Sequence, residues 1–398
     1  MVQTADRQPC LFYAAGPGDV VKTFQTWESG IDDPHQVAIT YSGQFFQTCK
    51  DLGVKGVAVS WNPRVDAVRT DQFYIENRPK GPQLSGLAYH RQQVAYVRGL
   101  VKTAVQEQAD VLIAAESTGH LFTLGWFAPS SMAIVPTIHC TLWPKFRPLD
   151  TKQRILNFFN KTLFCKRALA MLCISEDIRK QLQLIGGDSL KPVHRFMPRY
   201  RKGTFDSIQP PVRDNGPFHI LFAGRLEENK GIFDLLAICQ DLKPEVKKQV
   251  IWDLAGDGSR EEQLRSEVSR LGLDDIFRVH GYCRRPQMLD LINRSHAFIV
   301  PTTMAFEEGF NKVVAESILN NRPVITSAVC PAIDDVREAV IEARPDNRDD
   351  YRKAVEKLVE DREFYDSKQQ ACTSLQAQFY DPANSWGAKL RLAVEENL

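Results

Sequence analysis

The feature that most restricts the fold of this chain is a regular alternation of short apolar segments with longer amphipathic ones. In the first half, apolar runs predict strands at 10–15, 36–41, 54–60, 110–115, 133–139 and 169–174. Segments with helical spacing predict helices at 43–52, 89–108, 152–166 and 175–184. Strands followed by helices form a mostly parallel sheet with helices on both faces, so we expect an α/β domain here.

The second half repeats this alternation. Strands are predicted at 218–223, 249–255, 277–280, 296–300 and 323–327, and helices at 232–242, 260–271, 287–293, 312–319, 332–340, 349–360 and 385–396. A chain of 398 residues is too long for one ordinary core, and the non-periodic segment 199–217 separates the halves. We predict two tandem Rossmann-like, doubly wound domains at 1–198 and 218–380, a linker between them and a final segment at 381–398. Such domains bind ligands in a central cleft that faces the carboxyl ends of their strands.

Composition excludes several other classes of protein. The balance of 50 basic and 49 acidic residues argues against a nucleic-acid-binding protein. Nine cysteines without a CxxC pair favour free thiols in a reducing cytosol over disulfides or a zinc site. The N-terminus lacks the apolar core of a signal peptide, and glycine and proline break the uncharged segment 117–144, which argues against a membrane span. A cytoplasmic protein is therefore expected.

Four groups of candidate binding residues follow the predicted strands. They are Gly16 and Gly18, then His139, then Arg225 and Lys230, and finally Glu308 and Glu316. Each group is common on its own. The glycines also occur in ordinary turns, the histidine in a core, the cations on a surface, and the acids in contact with solvent. A glycine turn lets the backbone approach a phosphate closely, and two cations beside one suit a diphosphate.

The two glutamates bracket the start of the helix predicted at 312–319. Asn311 is the predicted N-cap of this helix, Glu308 precedes it and Glu316 lies inside it. The N-terminus of a helix offers free N–H groups and the positive end of a dipole to an anion. We therefore expect an anion-binding site at this helix start.

Together these residues resemble glycosyltransferase family 4, whose members have the GT-B fold, use nucleotide sugars and retain the anomeric configuration. Gly224-Arg225 with Lys230-Gly231 is similar to the diphosphate-binding pair of that family. The segment 255–258 is similar to its second glycine turn, and 308–316 to its two-glutamate motif. The resemblance is strongest over 218–340 and looser in the first half, through 16–18, 137–139 and 174–176.

The resemblance implies a role for each matching residue. Arg225 and Lys230 would neutralise the leaving diphosphate, while Glu308 would bind the donor sugar. Glu316 would bind the ribose hydroxyls, and His139 would reach the sugar from the other domain. Donor-binding contacts are further implied for Gly16, Gly18, Gly224, Tyr282, Gly309, Phe310, Asn311 and Lys312. The final helix would cross back to the N-terminal domain.

The sequence departs from the family pattern at three places. Asn311 stands where the family usually has glycine, and 196–200 lacks the usual Pro-Asn-Gly. The connection 61–87 has no counterpart, and we expect it, together with a loop at 18–30, to shape the acceptor site. No aspartate-rich metal motif appears, so we expect no metal and no cofactor, with the basic pair in the place of a divalent ion.

The function expected from the resemblance is transfer of a hexose-type sugar, from a UDP-type donor, to a sugar, lipid-linked or small-molecule acceptor. Two alternatives stay open at this point. One is another GT-B-fold enzyme, such as a sugar epimerase or an inverting transferase. The other is a non-catalytic paralogue that binds a nucleotide sugar.

A basic stretch at 145–167 holds seven basic residues against one acid, with aromatic residues between them. A basic amphipathic helix can make a weak peripheral contact with anionic lipid. The simpler alternative is a helix that packs on its own sheet and exposes a solvated basic face.

Overall fold

The structure is a computed structural model that describes residues 7–31, 33, 36–82, 84–115, 120–213 and 216–397. The described residues form two compact units. Unit 1 comprises residues from 1–142, 149–199 and 381–398, and unit 2 comprises 143–148 and 200–380. Within the described ranges, no helix is long and apolar enough to cross a bilayer.

Unit 1 is built on one sheet with the strand order β3-β4-β2-β1-β5-β6-β7-β8. Its strands are β1 Cys10–Pro17, β2 Lys55–Trp61, β3 Asp66–Arg69, β4 Phe73–Arg78, β5 Val111–Ala114, β6 Ala133–Ile138, β7 Met171–Cys173 and β8 Val193–Arg195. Its first helices are α1 Val20–Glu28, α2 Tyr41–Leu52, α3 Gly86–Gln106, α4 Phe122–Phe127, α5 Thr151–Thr162 and α6 Glu176–Gly186. Pairing is parallel except between β3 and β4.

Unit 2 is built on a parallel sheet with the strand order β11-β10-β9-β12-β13-β14. Its strands are β9 Phe218–Ala223, β10 Val250–Ala255, β11 Phe277–Gly281, β12 Ala297–Val300, β13 Val324–Ser327 and β14 Val340–Ala343. Its helices are α7 Ile232–Asp241, α8 Pro244–Lys247, α9 Glu261–Arg270, α10 Arg285–Arg294, α11 Lys312–Leu319, α12 Ile333–Val336, α13 Arg348–Glu360, α14 Arg362–Leu375 and α15 Ala377–Tyr380. The β12 residues are all buried, as expected for a central parallel strand.

The last helix, α16 Trp386–Val394, belongs to unit 1. Trp386 is fully buried there and donates its indole N–H to Thr137 Oγ1 at 2.9 Å. The backbone N–H of Gly387 donates to Gln44 Oε1 on α2, also at 2.9 Å. One buried and one partly buried hydrogen bond therefore join this helix to β6 and α2.

The predicted fold class is confirmed, since both units are parallel-sheet α/β domains of Rossmann-like type. The strand predicted at 36–41 is wrong, because α2 begins at Tyr41. Thr40 is its N-cap and accepts the N–H of Gly43 at 3.0 Å. A threonine that follows apolar residues suits a strand or a cap, and the capping bond decides here.

Two predicted loops hold regular structure. Segment 18–30 contains α1, which begins at the N-cap Asp19 and buries Val20, Val21 and Phe24. Segment 61–87 contains β3 and β4, and β4 pairs with β2. The alternation in β4 was missed because one of its inward positions is the polar Asn77, which binds the backbone N–H of Val20.

Three further differences lie at the edges of the sheets and at the end of unit 2. The helix predicted at 332–340 is shorter, since α12 ends at Val336, a 3-10 turn follows and β14 begins at Val340. The short edge strands β8 and β14 were not predicted, and neither were α8, α14 and α15. Strands of three or four residues carry too little periodicity to be recognised from sequence.

Candidate functional site

Three loops of unit 2 are joined at the carboxyl ends of β9, β10 and β11. The N–H of Gly224 donates to Ala255 O at 3.0 Å, and the N–H of Gly256 donates to Gly281 O at 2.8 Å. Further along, the N–H of Leu226 donates to Asp257 O at 2.7 Å. These bonds place the two predicted glycine turns side by side at one edge of the sheet.

Two glycines in these turns have no room for a side chain. A Cβ on Gly256 would lie 1.8 Å from Gly224 O, and one on Gly231 would lie 2.2 Å from Pro301 O. Gly231 also has a φ of 76°, in the left-handed region. Backbone packing of this kind fixes the loop that carries Arg225 and Lys230.

The two predicted cations of this loop meet at one aromatic ring. Lys230 Nζ lies 3.7 Å from the centroid of the Phe306 ring, and Arg225 Cζ lies 5.7 Å from it. Arg225 is exposed, and its guanidinium donates no hydrogen bond to any described residue. A cation placed over a ring without an acid partner remains available to an anion.

Lys230 is half-buried and paired with Glu308. Its Nζ donates to Glu308 Oε2 at 2.8 Å. Glu308 is itself buried, at 8% exposed, and its Oε2 also accepts the side-chain amide of Asn311 at 3.2 Å. Its other oxygen accepts the N–H of Gly309 at 3.3 Å. The first glutamate of the motif therefore holds one predicted cation and the start of α11.

Asn311 precedes α11 in a left-handed conformation, with a φ of 71°. Asn311 is the N-cap of α11, as predicted, but its side chain makes no capping bond, because its amide donates to Glu308 Oε2. Asparagine tolerates this region better than other residues with a side chain, so the backbone keeps a conformation typical of glycine. Within the described chain, the N–H groups of Phe310 and Asn311 have no acceptor. The start of α11 thus presents free donors, as predicted from its position.

Glu316 lies one turn into α11, half-buried beside Tyr200 and Lys312. The Tyr200 hydroxyl oxygen lies 3.4 Å from both Glu316 Oε1 and Lys312 O, so its single proton is shared between these two acceptors. Burial raises the pKa of Glu316 to about 7, against the opposing effects of the Lys312 charge and the Tyr200 hydrogen bond. Burial also lowers the pKa of Lys312. Tyr200 was missed because it lies in a segment predicted to be a linker.

Two buried polar atoms close to this cluster have no hydrogen-bond partner among the described residues: Asn229 Oδ1 and Thr302 Oγ1. Asn229 precedes Lys230, and its carbonyl accepts the N–H of Thr303 at 3.1 Å. Thr302 is 2% exposed and follows Pro301 at the end of β12. Buried polar atoms usually have partners, so these two are candidates for ligand contact. No sequence motif marked them.

The remaining donor-binding candidates occupy other positions. Gly224 lies in the joined turns, and Tyr282 follows β11 with its side chain 62% exposed. Unit 2 therefore holds most of the predicted site residues, in loops that follow its strands and in α11. They are Gly224, Arg225, Lys230, Tyr282, Glu308, Gly309, Phe310, Asn311, Lys312 and Glu316.

Gly16, Gly18 and His139 belong to unit 1. Gly16 lies one residue before the end of β1 and has a φ of 75°. Gly18 follows the strand directly and has a φ of 149°. The Gly18 N–H donates to Trp61 O at 3.0 Å, so this amide already has an acceptor. His139 follows β6, and its ring lies 4.5 Å from Tyr41 and 5.3 Å from Phe196, centroid to centroid. Its Nε2 is 3.1 Å from Thr137 Oγ1.

Sequence reasoning also missed a second charged cluster of unit 2, around the fully buried Asp253. His219 Nδ1, His280 Nε2 and Arg294 Nη2 each lie 2.7 Å from its carboxylate. Burial alone would raise the pKa of Asp253, but the hydrogen bonds from both histidines and the Arg294 charge outweigh it and hold this pKa well below its usual range. The four residues are far apart in sequence and form no motif.

Comparison with known proteins agrees with this geometry. Residues 204–373 match the family described as Glycosyl transferases group 1. This segment is less than half of the chain and contains every candidate residue of unit 2. The fold matches solved structures over nearly the whole chain: sucrose-phosphate synthase from Thermosynechococcus elongatus covers 98% of this chain and 97% of its own, with a TM-score of 0.68 and 15% identity. The Anabaena protein HepE in complex with UDP covers 98% of both chains, with a TM-score of 0.64 and 15% identity.

Among curated sequences, the chain is similar to a D-inositol 3-phosphate glycosyltransferase of Arthrobacter sp. (strain FB24). The two are 26% identical over 137 residues, which cover 34% of this chain and 31% of that protein. The chain thus spans about a third of the length of this relative. The GT-B fold predicted from the sequence is confirmed by these structures, and residues 204–373 are similar to the Glycosyl transferases group 1 family.

Proposed function

We propose that the protein is a retaining glycosyltransferase that moves a hexose-type sugar from a nucleotide diphosphate sugar to an acceptor hydroxyl. One observation carries the proposal. Arg225 and Lys230 converge on the Phe306 ring, in the same unit as the open N–H groups at the start of α11. Cations and oriented amides stabilise the charge that develops on a departing diphosphate.

The proposed reaction places negative charge on the departing diphosphate. The bond between the anomeric carbon and the diphosphate oxygen breaks, and a bond forms between that carbon and the acceptor oxygen. The departing phosphate takes the proton of the acceptor hydroxyl. Arg225 meets the growing negative charge directly, while Lys230 transfers its hydrogen bond from Glu308 to a phosphate oxygen.

The two glutamates would then bind hydroxyl groups. Once Lys230 turns to phosphate, Glu308 Oε2 becomes available to a hydroxyl of the donor sugar. Glu316 would accept the ribose hydroxyls in its ionised form, beside Tyr200. Asn229 and Thr302 supply further polar atoms that have no partner among the described residues.

A UDP-type donor is favoured, because one of the structures with the same fold is a complex with UDP. The proposal includes metal independence, since the two cations supply positive charge at the diphosphate. A chelator should therefore leave the transfer rate unchanged. The acceptor is proposed to be a sugar, a lipid-linked compound or a small molecule.

His139, Gly16 and Gly18 are separate proposals for ligand contact by unit 1. His139→Ala should lower transfer while leaving the affinity of unit 2 for the free nucleotide unchanged. A reducing, cytoplasmic location is also proposed. All nine cysteines lie within the described residues, and none forms a disulfide.

The first test is a thermal-shift screen of nucleotide sugars, because a donor at about 100 times its Kd adds ~2.7 kcal/mol of stability. With the donor identified, Arg225→Ala should lower kcat/KM about 10²–10³-fold. Arg362→Ala, an exposed arginine on α14, is the matched control and should be neutral. Transfer by Arg225→Ala within twofold of wild type would overturn the proposal.

NMR of the product anomer separates the proposed reaction from the alternatives. A retained configuration supports the proposal, while inversion indicates an inverting transferase. Conversion of the donor without an acceptor indicates an epimerase. Donor binding without turnover in the presence of any acceptor indicates a non-catalytic paralogue.

A further inference from the structure

Helix α5 in unit 1 exposes three of its four apolar residues. The one buried residue of this helix is Asn160. Its Oδ1 accepts the N–H of Phe122 on α4 at 2.8 Å. By contrast, Ile155 is 53% exposed and Phe158 is 74% exposed. A helix that packs on its own sheet buries its apolar stripe and exposes its polar one. The simpler interpretation of the basic stretch therefore does not describe α5.

The exposed aromatic residues form one patch across α4 and α5. Trp126 on α4 is 58% exposed, and its ring lies 5.7 Å from that of Phe159, which is 37% exposed. Phe158 lies 5.5 Å from Phe159. We call Trp126, Ile155, Phe158 and Phe159 the aromatic patch. Its three aromatic rings are in contact through Phe159, which separates this surface from single exposed apolar residues.

Basic residues flank the patch on both sides. At about 100° per residue, Ile155, Phe158 and Phe159 occupy the middle of the outward arc of α5. Arg154 and Lys161 lie along one margin of this arc, and Lys152 along the other. Arg154 Nε donates to Leu149 O at 3.2 Å, and the side chain remains exposed. All three are exposed, and residues 151–167 contain no Asp or Glu. The surface is an apolar strip with two basic residues along one margin and one along the other.

We propose that this face of α4 and α5 docks on an anionic lipid surface. The aromatic side chains would enter the boundary between headgroups and acyl chains, while the basic side chains reach the phosphates. Charge complementarity selects this occupant over a second copy of the chain. A symmetric contact of the patch with itself would bring its basic margins together without acids to pair them.

Arg167 has a different task and is excluded from the docking surface. Its Nη2 donates to the carbonyls of Ala128 and Pro129 at 3.2 and 3.0 Å, beyond the end of α4. This arginine fixes the orientation of α4 and hence of Trp126. Residues 145–148 of the basic stretch cluster with unit 2 and are also not part of the proposed surface.

The test is flotation of the purified full chain with two kinds of vesicle: phosphatidylcholine alone, and phosphatidylcholine mixed with phosphatidylglycerol. Binding is expected on the mixed vesicles only. Lys152→Gln/Arg154→Gln/Lys161→Gln should weaken it about 100-fold, because each basic residue at an anionic surface contributes roughly fivefold. The matched control, Lys55→Gln/Lys202→Gln/Lys248→Gln, removes the same charge from exposed lysines outside α4 and α5 and should retain binding.

A second variant tests the apolar half of the surface. Trp126→Ser/Phe158→Ser should also weaken binding about 100-fold, since each large apolar side chain withdrawn from water contributes about tenfold. Both side chains are exposed, so the unfolding temperature should stay that of the wild type, and circular dichroism checks this.

Three outcomes would overturn the proposal: no binding to mixed vesicles, equal binding to neutral vesicles, or equal loss in the control variant. Self-association that disappears in Trp126→Ser/Phe158→Ser, without vesicle binding, would instead identify a contact between copies of the chain. Sedimentation velocity measures it. None of these outcomes depends on the proposed transferase activity.

Discussion

Two charged clusters of unit 2, around Asp253 and around Glu308, use similar residues in opposite ways. Asp253 has three partners for its two oxygens, and each partner points at the carboxylate. In the Glu308 cluster, no described acid forms a hydrogen bond or a close ion pair with Arg225, and two backbone N–H groups lack acceptors among the described residues. The first cluster is closed by the chain itself, whereas the second leaves donors available to a ligand.

The difference shows which property of a buried charge points to function. Both carboxylates are buried, and the strongly depressed pKa of Asp253 belongs to the closed cluster, so neither burial nor a pKa shift identifies the open one. The unsatisfied donors of the Glu308 cluster do. A closed network stabilises the fold, and an incomplete one gains its missing partner when a ligand binds.

The largest expected effect tests the closed cluster. Asp253→Asn should cost about 3–5 kcal/mol in the free energy of unfolding, because it removes one partner of a buried charge network. The folded pKa of Asp253 is depressed, so its contribution is present above the unfolded pKa, about 3.9, and is lost as the pH falls further. Urea unfolding at several pH values measures both. Loss of kcat/KM with unchanged stability would reverse the assignment.

The next effect separates stability from activity at the open cluster. Lys230→Gln should lower transfer about 10²–10³-fold, and it should cost about 1–3 kcal/mol of stability because Glu308 is left without its cation. Lys230→Gln/Glu308→Gln should regain most of the stability and none of the activity. Denaturant unfolding and single-turnover transfer are measured on both variants. Recovery of transfer in the double variant would show that the ion pair serves only the fold.

A smaller effect tests how rigidly the open cluster is built. Gly231→Ala should cost roughly 1–3 kcal/mol more than Gly53→Ala, because only the former places its Cβ against a carbonyl, at 2.2 Å. Gly53 has a similar φ of 65° and no atom within 4 Å of the added carbon, which makes it the matched control. Thermal unfolding compares the two. Equal losses would show that the turn moves to accommodate the side chain.

The smallest effect concerns Glu316. Its pKa of about 7 and the need for an ionised carboxylate predict that a nucleotide sugar binds roughly tenfold more weakly at about pH 6 than at about pH 8. Titration calorimetry measures the affinity. Glu316→Gln should bind more weakly than wild type at about pH 8 and show little pH dependence. A pH dependence that survives in this variant would assign the titration to another group.

The same pKa has a consequence for stability. Because the folded pKa of Glu316 is raised, the native state binds a proton that the unfolded chain has released between its usual pKa and about pH 7. Stability should therefore fall as the pH rises through this window. Glu316→Gln should be more stable than wild type above about pH 7, unless a bound donor compensates.

Regular periodicity carried the fold prediction, and its limits explain the errors. The bounds of α11 were predicted to the residue, because its apolar positions repeat at one period. The strand predicted at 36–41 was wrong because Thr40 is the N-cap of α2. Strand β4 was missed because the polar Asn77 occupies an inward position. Local sequence does not show which partner a polar side chain will find.

The sequence by itself determined the alternation of strands and helices, and the motif residues that unit 2 gathers at the end of its sheet. Glycine turns and a two-glutamate helix are local patterns, so their residue spacing can be recognised in the sequence alone. The tertiary structure decided which of these charges are already satisfied. Lys230 binds Glu308, the Gly18 amide binds Trp61, and Arg225 remains open. It also decided that α5 exposes its aromatic residues, because a hydrogen bond between Asn160 and α4 holds the polar side inward. Hydrogen bonds between residues distant in the chain make these choices, and no periodicity encodes them.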